Sequence, residues 1–272
     1  MNSKWLRCVH RQQNSQVRLI CFPWAGGGAA FYGNWGKKFT REIEVYGVCL
    51  PGRESRFSEP FNTDWESLVK DICQDVQGIL REKPFALWGH SLGGGICFEV
   101  ARHLKLQHNL QPVHMLISSA SAPQVPRTVL DVSSLSDDDL IQKIRNWGGT
   151  PKVLTENKDM MKIAARVLRA DLTLLQNYRV RFITIWQFID LHSNLISNCR
   201  FETNNSVVLN CPVTCFDGST DLHDQDGWAE LMHGPFKRHI LPGGHFYFME
   251  GDNETSLINL ISAAVGFSSS AS

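Results

Sequence analysis

Ser91 lies in the run Leu87-Trp88-Gly89-His90-Ser91-Leu92-Gly93, a Gly-x-Ser-x-Gly pattern that follows the apolar stretch 85–88. A serine hydroxyl becomes a useful nucleophile once a neighbouring base takes its proton. A strand, a very tight turn and a helix start would present this serine at the turn, with glycines removing side chains that clash there. Ile96, Cys97, Val100, Ala101 and Leu104 then follow with the spacing of a helix packed on a sheet. Backbone N–H groups at that helix start favour negative charge, so the N–H of Leu92 is a candidate oxyanion donor. The chemistry suggested is acyl transfer through serine.

Such a serine needs a histidine and an orienting acid. Of ten histidines, His10, His103, His108 and His192 lie among polar or helical surface residues and are expected to be solvated. His90 sits inside the turn and is expected to pack or hydrogen-bond locally. His245 follows Ile240-Leu241-Pro242-Gly243-Gly244, a short strand ending in a glycine turn, and is the expected base. A buried histidine satisfied by backbone is the alternative. The acid falls between them in the order Ser, Asp, His. Two candidates end the apolar run 213–216: Asp217 at the strand end, and Asp221 on the loop after Gly218. The Gly-x-x-Asp spacing lets the chain turn and aim Asp221 at a neighbouring loop. Asp217 then reads as a structural turn residue.

A second oxyanion donor should come from the loop after an early strand. Arg18-Leu19-Ile20-Cys21-Phe22 reads as that strand, and Pro23-Trp24-Ala25-Gly26-Gly27-Gly28 as that loop, with the Ala25 N–H as donor. A phosphate-binding loop is the alternative. The Lys-Ser/Thr of a P-loop is missing, and no G-x-G-x-x-G fingerprint follows.

Four ordered segments resemble type II thioesterases: the run 21–28, Leu50-Pro51-Gly52-Arg53-Glu54-Ser55-Arg56, the Gly89–Gly93 turn, and Leu241-Pro242-Gly243-Gly244-His245-Phe246. The resemblance covers about residues 17–178 and 203–262. It implies an α/β-hydrolase fold and hydrolysis of the thioester joining a fatty acyl chain to the phosphopantetheine arm of acyl carrier protein. Release of a medium-chain acid from fatty acid synthase is implied too. Ser91, Asp221 and His245 match the family's triad, and Ala25 and Leu92 its oxyanion donors. The substrate carries the phosphopantetheine, so no cofactor is expected. The same triad would serve a carboxylesterase or lipase on oxygen esters, and an inactive acyl-binding scaffold would keep the same fold.

The elements that must position these residues alternate along the chain. Strands are expected near 17–23, 45–50, 84–90, 112–119, 211–217 and 237–242, and helices near 31–41, 64–81, 92–106 and 253–265. That order predicts a mainly parallel sheet with helices on both faces and catalytic loops at the strands' C-terminal ends. With 272 residues, 43% of them hydrophobic, the chain can bury one large core and is expected to be a single domain.

Between Ser121 and Tyr178 the pattern changes to helices without strands. Ser136 and Asp139 form a capping box before Leu140, Ile141, Ile144 and Trp147. Gly148-Gly149 stops that helix, and a second is expected over 158–178. Residues 121–205 are expected to form a lid, with Met160 and Met161 as candidates to line an acyl channel. A plain helical packing layer would carry the same apolar stripe. Residues 179–202, rich in Ile, Phe and Trp, depart from the family, which passes quickly from the Arg169-Ala170-Asp171-Leu172 helix to the next strand.

Bulk properties exclude several classes. Lys plus Arg and Asp plus Glu number 27 each, so no strong field draws nucleic acid or anionic membrane. No run approaches the ~18 apolar residues of a membrane span. The polar first 16 residues lack a secretory core, and eight scattered cysteines suit reduced thiols, so a cytosolic protein is expected. Cys211 and Cys215 lack partners at zinc spacing, and no metal site is expected.

Overall fold

In the computed structural model, residues 3–125, 130–147, 156–193 and 209–266 are described, except for the side chains of 179–193. Seven strands form one sheet in the order β1-β3-β2-β4-β5-β6-β7. They are β1 (Leu6–Arg7), β2 (Val17–Phe22), β3 (Ile43–Val48), β4 (Phe85–His90), β5 (His114–Ser118), β6 (Val213–Gly218) and β7 (Phe236–Leu241). All neighbours pair in parallel except β1, which runs antiparallel to β3.

The inner strands are buried along their whole length because both faces of the sheet are covered. Alternate residues enter opposite cores. Ile20, Phe22, Phe85, Leu87, Met115, Ile117, Val213 and Cys215 pack on one side. Helices α2 (Trp65–Glu82) and α3 (Leu92–His108) cover them with Ile72, Val76, Ile96 and Val100. Leu19, Cys21, Ala86, Trp88, Leu116 and Phe216 face the other way, against Tyr32 and Trp35 of α1 (Ala29–Trp35) and Leu257 and Ile261 of the C-terminal helix, 253–264. Strand register brings Phe22 level with Gly89, His90 with Ser118, and Gly218 with Leu241, so the C-terminal loops open along one rim.

Helix α2 starts where Asp64 accepts a hydrogen bond from the Ser67 N–H at 2.7 Å. Helix α3 ends at Asn109, in the left-handed conformation favoured at helix ends. Helix α4 (Asp137–Trp147) has the expected capping box: the Asp139 N–H donates to Ser136 Oγ, and the Ser136 N–H donates back to the Asp139 carboxylate.

Four features differ from the sequence expectation. Strand β1 is too short to show a period, although Trp5 beside it is buried. Helix α1 stops at Trp35 rather than near 41, because the Lys38 N–H turns back to the Trp35 carbonyl. Helix α5 (Lys158–Ser193) runs past Tyr178, so the first part of the 179–202 departure continues it. Side chains 179–193 and residues 194–205 lie outside the described residues. A short helix, α6 (Gly227–Leu231), precedes β7. The C-terminal helix is α7 (Asn253–Ala264).

Seven cysteines are free thiols among the described residues. Burial raises their pKa values, to about 12 for Cys73 and about 11 for Cys211, and Cys97 is fully buried within α3. No helix among the described residues is long and apolar enough to cross a membrane.

Burial lowers the pKa values of His90, His103, His114 and His239. Below the ordinary histidine value of ~6.5 the unfolded chain therefore binds more protons than the folded one, and stability must fall with pH. The urea midpoint is expected to drop between pH 7.5 and 5.5. A flat profile would contradict these burials.

Candidate active site

Ser91 sits between β4 and α3 with φ 55° and ψ −116°, a strained conformation costing about 1–3 kcal/mol. The surroundings hold it there. Its N–H donates to the Ser118 carbonyl at 2.8 Å, and its carbonyl accepts from Gly94 at 2.9 Å. Both flanking glycines are sterically required. A side chain at Gly89 would overlap the Gly93 carbonyl, and one at Gly93 would overlap the Phe22 carbonyl.

The expected acid and base, Asp221 and His245, come from adjacent strand ends. After β6 the chain turns with the Asp221 N–H on the Gly218 carbonyl. Asp221 Oδ2 then meets His245 Nδ1 at 2.5 Å, on the loop after β7. The two loops are stitched together: Ser219 N–H donates to Leu241 O, and both N–H and Oγ1 of Thr220 donate to Gly243 O. A methyl on Gly218 would strike the Gly243 and Gly244 carbonyls. The His245 ring lies 5.0 Å from that of His90, the residue before Ser91.

His90 is fully buried, and its Nδ1 meets Ser118 Oγ at 2.9 Å. Burial, and then the neighbouring His245 and His223, hold its pKa well below the usual value, so it stays neutral. Asp217 does not reach for His245. It is fully buried, with His223 Nδ1 and the His223 N–H each at 2.9 Å and Arg238 at 3.5 Å.

The glycine loop after β2 crosses directly over the turn at Ser91. Trp24 stands edge-on to Phe31 at 5.2 Å, Phe246 at 5.6 Å and His90 at 6.0 Å, tying this loop to those of the serine and the base. The Gly27 N–H closes a turn on the Trp24 carbonyl, and the Gly26 N–H donates to Asp171 Oδ2 at 2.7 Å. Among the described residues no protein acceptor meets the Ala25 N–H. Leu92 is the first residue of α3.

Arg53 and Asp171 form a buried bidentate ion pair at 2.6 and 2.7 Å, and Arg53 also donates to the Gly27 carbonyl. Burial works against the Arg53 charge, yet pairing with Asp171 keeps its pKa above the ordinary arginine value. Glu54 of the same loop accepts from the N–H groups of Ala29 and Ala30 at the start of α1. The Leu-Pro-Gly-Arg-Glu motif thus holds the glycine loop from two sides. Sequence supplied these residues as motif positions, but not their meeting.

A narrow cleft opens at the serine between Ser91, Gly95, Ala120, Ser121, Pro123, Leu175 and Tyr178. Tyr178 is stacked on Trp65 at 4.1 Å. Leu175 and Tyr178 are therefore the described α5 side chains beside the serine, and the two methionines expected to line an acyl channel do not border this cleft. Met160 is 43% exposed, and Met161, at 1%, packs with Leu140, Ile144, Ala165 and Leu168 between α4 and α5. Adjacent helical residues point about 100° apart, and here one faces solvent and the other the α4–α5 contact. A larger cavity, of about 300 Å³, lies toward the start of α5 beside Phe57, Phe61, Ile163 and Val167, and does not include Ser91. His10 and His108 each bury an Nε2 that meets no partner among the described residues, and burial lowers the His103 pKa, so all three are less solvated than their polar neighbours suggest. The side chain of His192 lies outside the described residues. His223 carries no motif. Its only sequence signal is a position two residues after Asp221.

The parallel sheet and strand-end loops define an α/β-hydrolase. Within that class the chain belongs to the Thioesterase domain family, whose profile matches residues 17–265, and it is a thioester hydrolase. It is 34% identical over 275 residues to the Rattus norvegicus protein named S-acyl fatty acid synthase thioesterase, medium chain, covering 98% of this chain and 95% of that one. It is 32% identical to the gramicidin S biosynthesis protein GrsT of Aneurinibacillus migulanus, covering 93% and 91%. The structure of the type II thioesterase BorB from the borrelidin biosynthetic cluster superposes with a TM-score of 0.76 at 25% identity, covering 97% and 99%.

Because Gly218 lets the acid and base loops touch, Gly218→Ala is expected to separate Asp221 from His245. A displacement near 1 Å costs about 10²-fold in rate. The kcat/KM for a p-nitrophenyl ester should fall by about that factor in a variant whose circular dichroism is unchanged. Retained activity would show that the loops tolerate separation.

Proposed function

We propose that this protein hydrolyses medium-chain fatty acyl thioesters carried by acyl carrier protein, releasing free acids from fatty acid synthase. The observation that carries the proposal is the Asp221–His245 hydrogen bond beside the strained Ser91 turn, in a chain of the thioesterase family. Similarity to the rat thioesterase supports the acyl-carrier substrate and chain length.

In this reading Ser91 Oγ attacks the thioester carbonyl while His245 takes the hydroxyl proton. Asp221 orients His245 and stabilises the imidazolium. The N–H groups of Ala25 and Leu92 receive the developing oxyanion. Collapse breaks the C–S bond, and His245 returns its proton to the departing phosphopantetheine sulfur. Water, deprotonated by His245, then cleaves the acyl-enzyme to the free acid and restores Ser91. No cofactor enters these steps; the phosphopantetheine arrives with the substrate. The chain acts as one hydrolase domain, residues 121–205 serve as its lid, and the cytosol is its compartment.

The test compares an acyl-carrier protein, the matching acyl-CoA and a p-nitrophenyl ester in parallel. The carrier thioester should have the highest kcat/KM; preference for the oxygen ester would point to a carboxylesterase. Ser91→Ala should abolish fluorophosphonate labelling and nearly all turnover. Asp221→Asn should cut the rate by about 10³–10⁴-fold, and Asp217→Asn by far less. The reverse order would make Asp217 the acid.

We assign chain-length selection to the walls of this cleft, which part to admit an acyl chain because the cleft itself holds only about 10 Å³. Each buried methylene contributes about 0.8 kcal/mol, close to fourfold in affinity. In wild type, kcat/KM should rise with acyl length and then cut off. Leu175→Trp, which fills the cleft wall, should reduce the ratio of long-chain to short-chain kcat/KM at least tenfold. An unchanged ratio would place the acyl chain elsewhere.

A further inference from the structure

His223 lies beside the acid–base pair without belonging to it. The buried Asp217 carboxylate meets both the His223 N–H and its Nδ1 at 2.9 Å. A carboxylate there holds the proton on Nδ1 and leaves the Nε2 lone pair directed outward, the arrangement by which proteins orient a metal-binding histidine. That Nε2 lies 3.8 Å from Asp221 Oδ2, the oxygen that meets His245 Nδ1 at 2.5 Å. One ligand atom from each of Asp221, His223 and His245 lies within 4.8 Å of the other two.

We propose that Asp221, His223 and His245 form an inhibitory zinc site, with Asp217 as the carboxylate that orients His223. Tetrahedral zinc, with bonds of about 2.0–2.1 Å, holds its ligand atoms about 3.3 Å apart. The three side chains need to move by only about 1 Å each to meet that spacing. Their side chains are 37%, 11% and 31% exposed, so an ion and a water as fourth ligand can reach them. Two imidazole nitrogens and one carboxylate suit zinc, whereas magnesium and calcium prefer oxygen. The described cysteines are poor competitors, because burial keeps their thiols protonated. On binding, the neutral His245 ring gives its Nδ1 proton to solvent and takes one up at Nε2, so the ring stays neutral, and two metal bonds replace the Asp221–His245 hydrogen bond. The base then loses both its orientation and its stabilising carboxylate. The inhibitory consequence rests on the roles proposed for Asp221 and His245; zinc binding itself does not.

The experiment is calorimetric titration of the chelator-stripped full chain with Zn²⁺, and Co²⁺ substitution read by absorbance. One ion per chain should bind, with visible ligand-field bands and no thiolate-to-cobalt charge transfer. His223→Ala should weaken binding at least tenfold, and so should His223→Gln, which keeps a polar side chain there. Asp217→Asn should weaken it by 10–100-fold. Zinc should suppress p-nitrophenyl ester hydrolysis reversibly, with an IC50 that rises in His223→Ala by the same factor as its Kd. Unchanged zinc affinity in both His223 variants, or thiolate charge transfer, would overturn the site whatever the enzyme hydrolyses. Zinc bound at this site with ester hydrolysis undiminished would overturn its inhibitory role.

Discussion

The site is built on three backbone crossings that are closer than any side chain permits. Gly89 passes Gly93 within the serine turn, Gly93 passes the end of β2, and Gly218 passes the loop of His245. Each crossing brings together groups that strands at ordinary sheet spacing of about 4.8 Å would leave apart. The first exposes Ser91 and holds its backbone at φ 55°. The second lays the glycine loop over the start of α3, and the third couples acid to base. The buried apolar strands beneath provide the rigidity that keeps such contacts from relaxing.

Electrostatics then sort similar residues into different tasks. Two aspartates leave the end of β6 four residues apart, and each finds its own histidine. Asp217 is shut in the interior with His223 and Arg238, while Asp221 remains partly exposed with His245. His90 lies nearer the interior than His245 and is kept uncharged by burial. A neutral His90 adds no positive charge that would oppose an imidazolium forming on its neighbour. Burial separates the two histidines: His90 is shut in, and His245 remains partly exposed.

Much of this was legible in the sequence because it is local. The serine turn, the Gly218-to-Asp221 reversal and the Pro-Gly-Gly approach to His245 are each written in a few consecutive residues. Coverage of the sheet on both faces was readable from the alternation of strands and helices along the chain. What escaped was tertiary. Arg53 and Asp171 are 118 residues apart, and no periodicity links them. His223 gains its setting from Asp217 only after the loop has turned. Met160 and Met161 suggested an apolar groove by composition, but helical geometry sends one to solvent and the other into the α4–α5 contact. The two-residue β1 carries too little pattern to be read.

The Arg53–Asp171 pair gives the helical layer a fixed point. Lifting α5 at Asp171 would strand a buried guanidinium and strip the Gly26 N–H of its acceptor. Breaking a buried pair in this way costs about 3–5 kcal/mol, so roughly one molecule in a hundred to one in several thousand would be open there at any moment. In that open form the glycine loop would keep Arg53 and Glu54 but lose its bond to Asp171. Displacement beyond Asp171, around Leu175 and Tyr178, leaves the tether intact. Asp171 on Arg53 and Tyr178 on Trp65 thus pin α5 at two points two turns apart, and the stretch that carries Leu175 beside the serine is held at both ends.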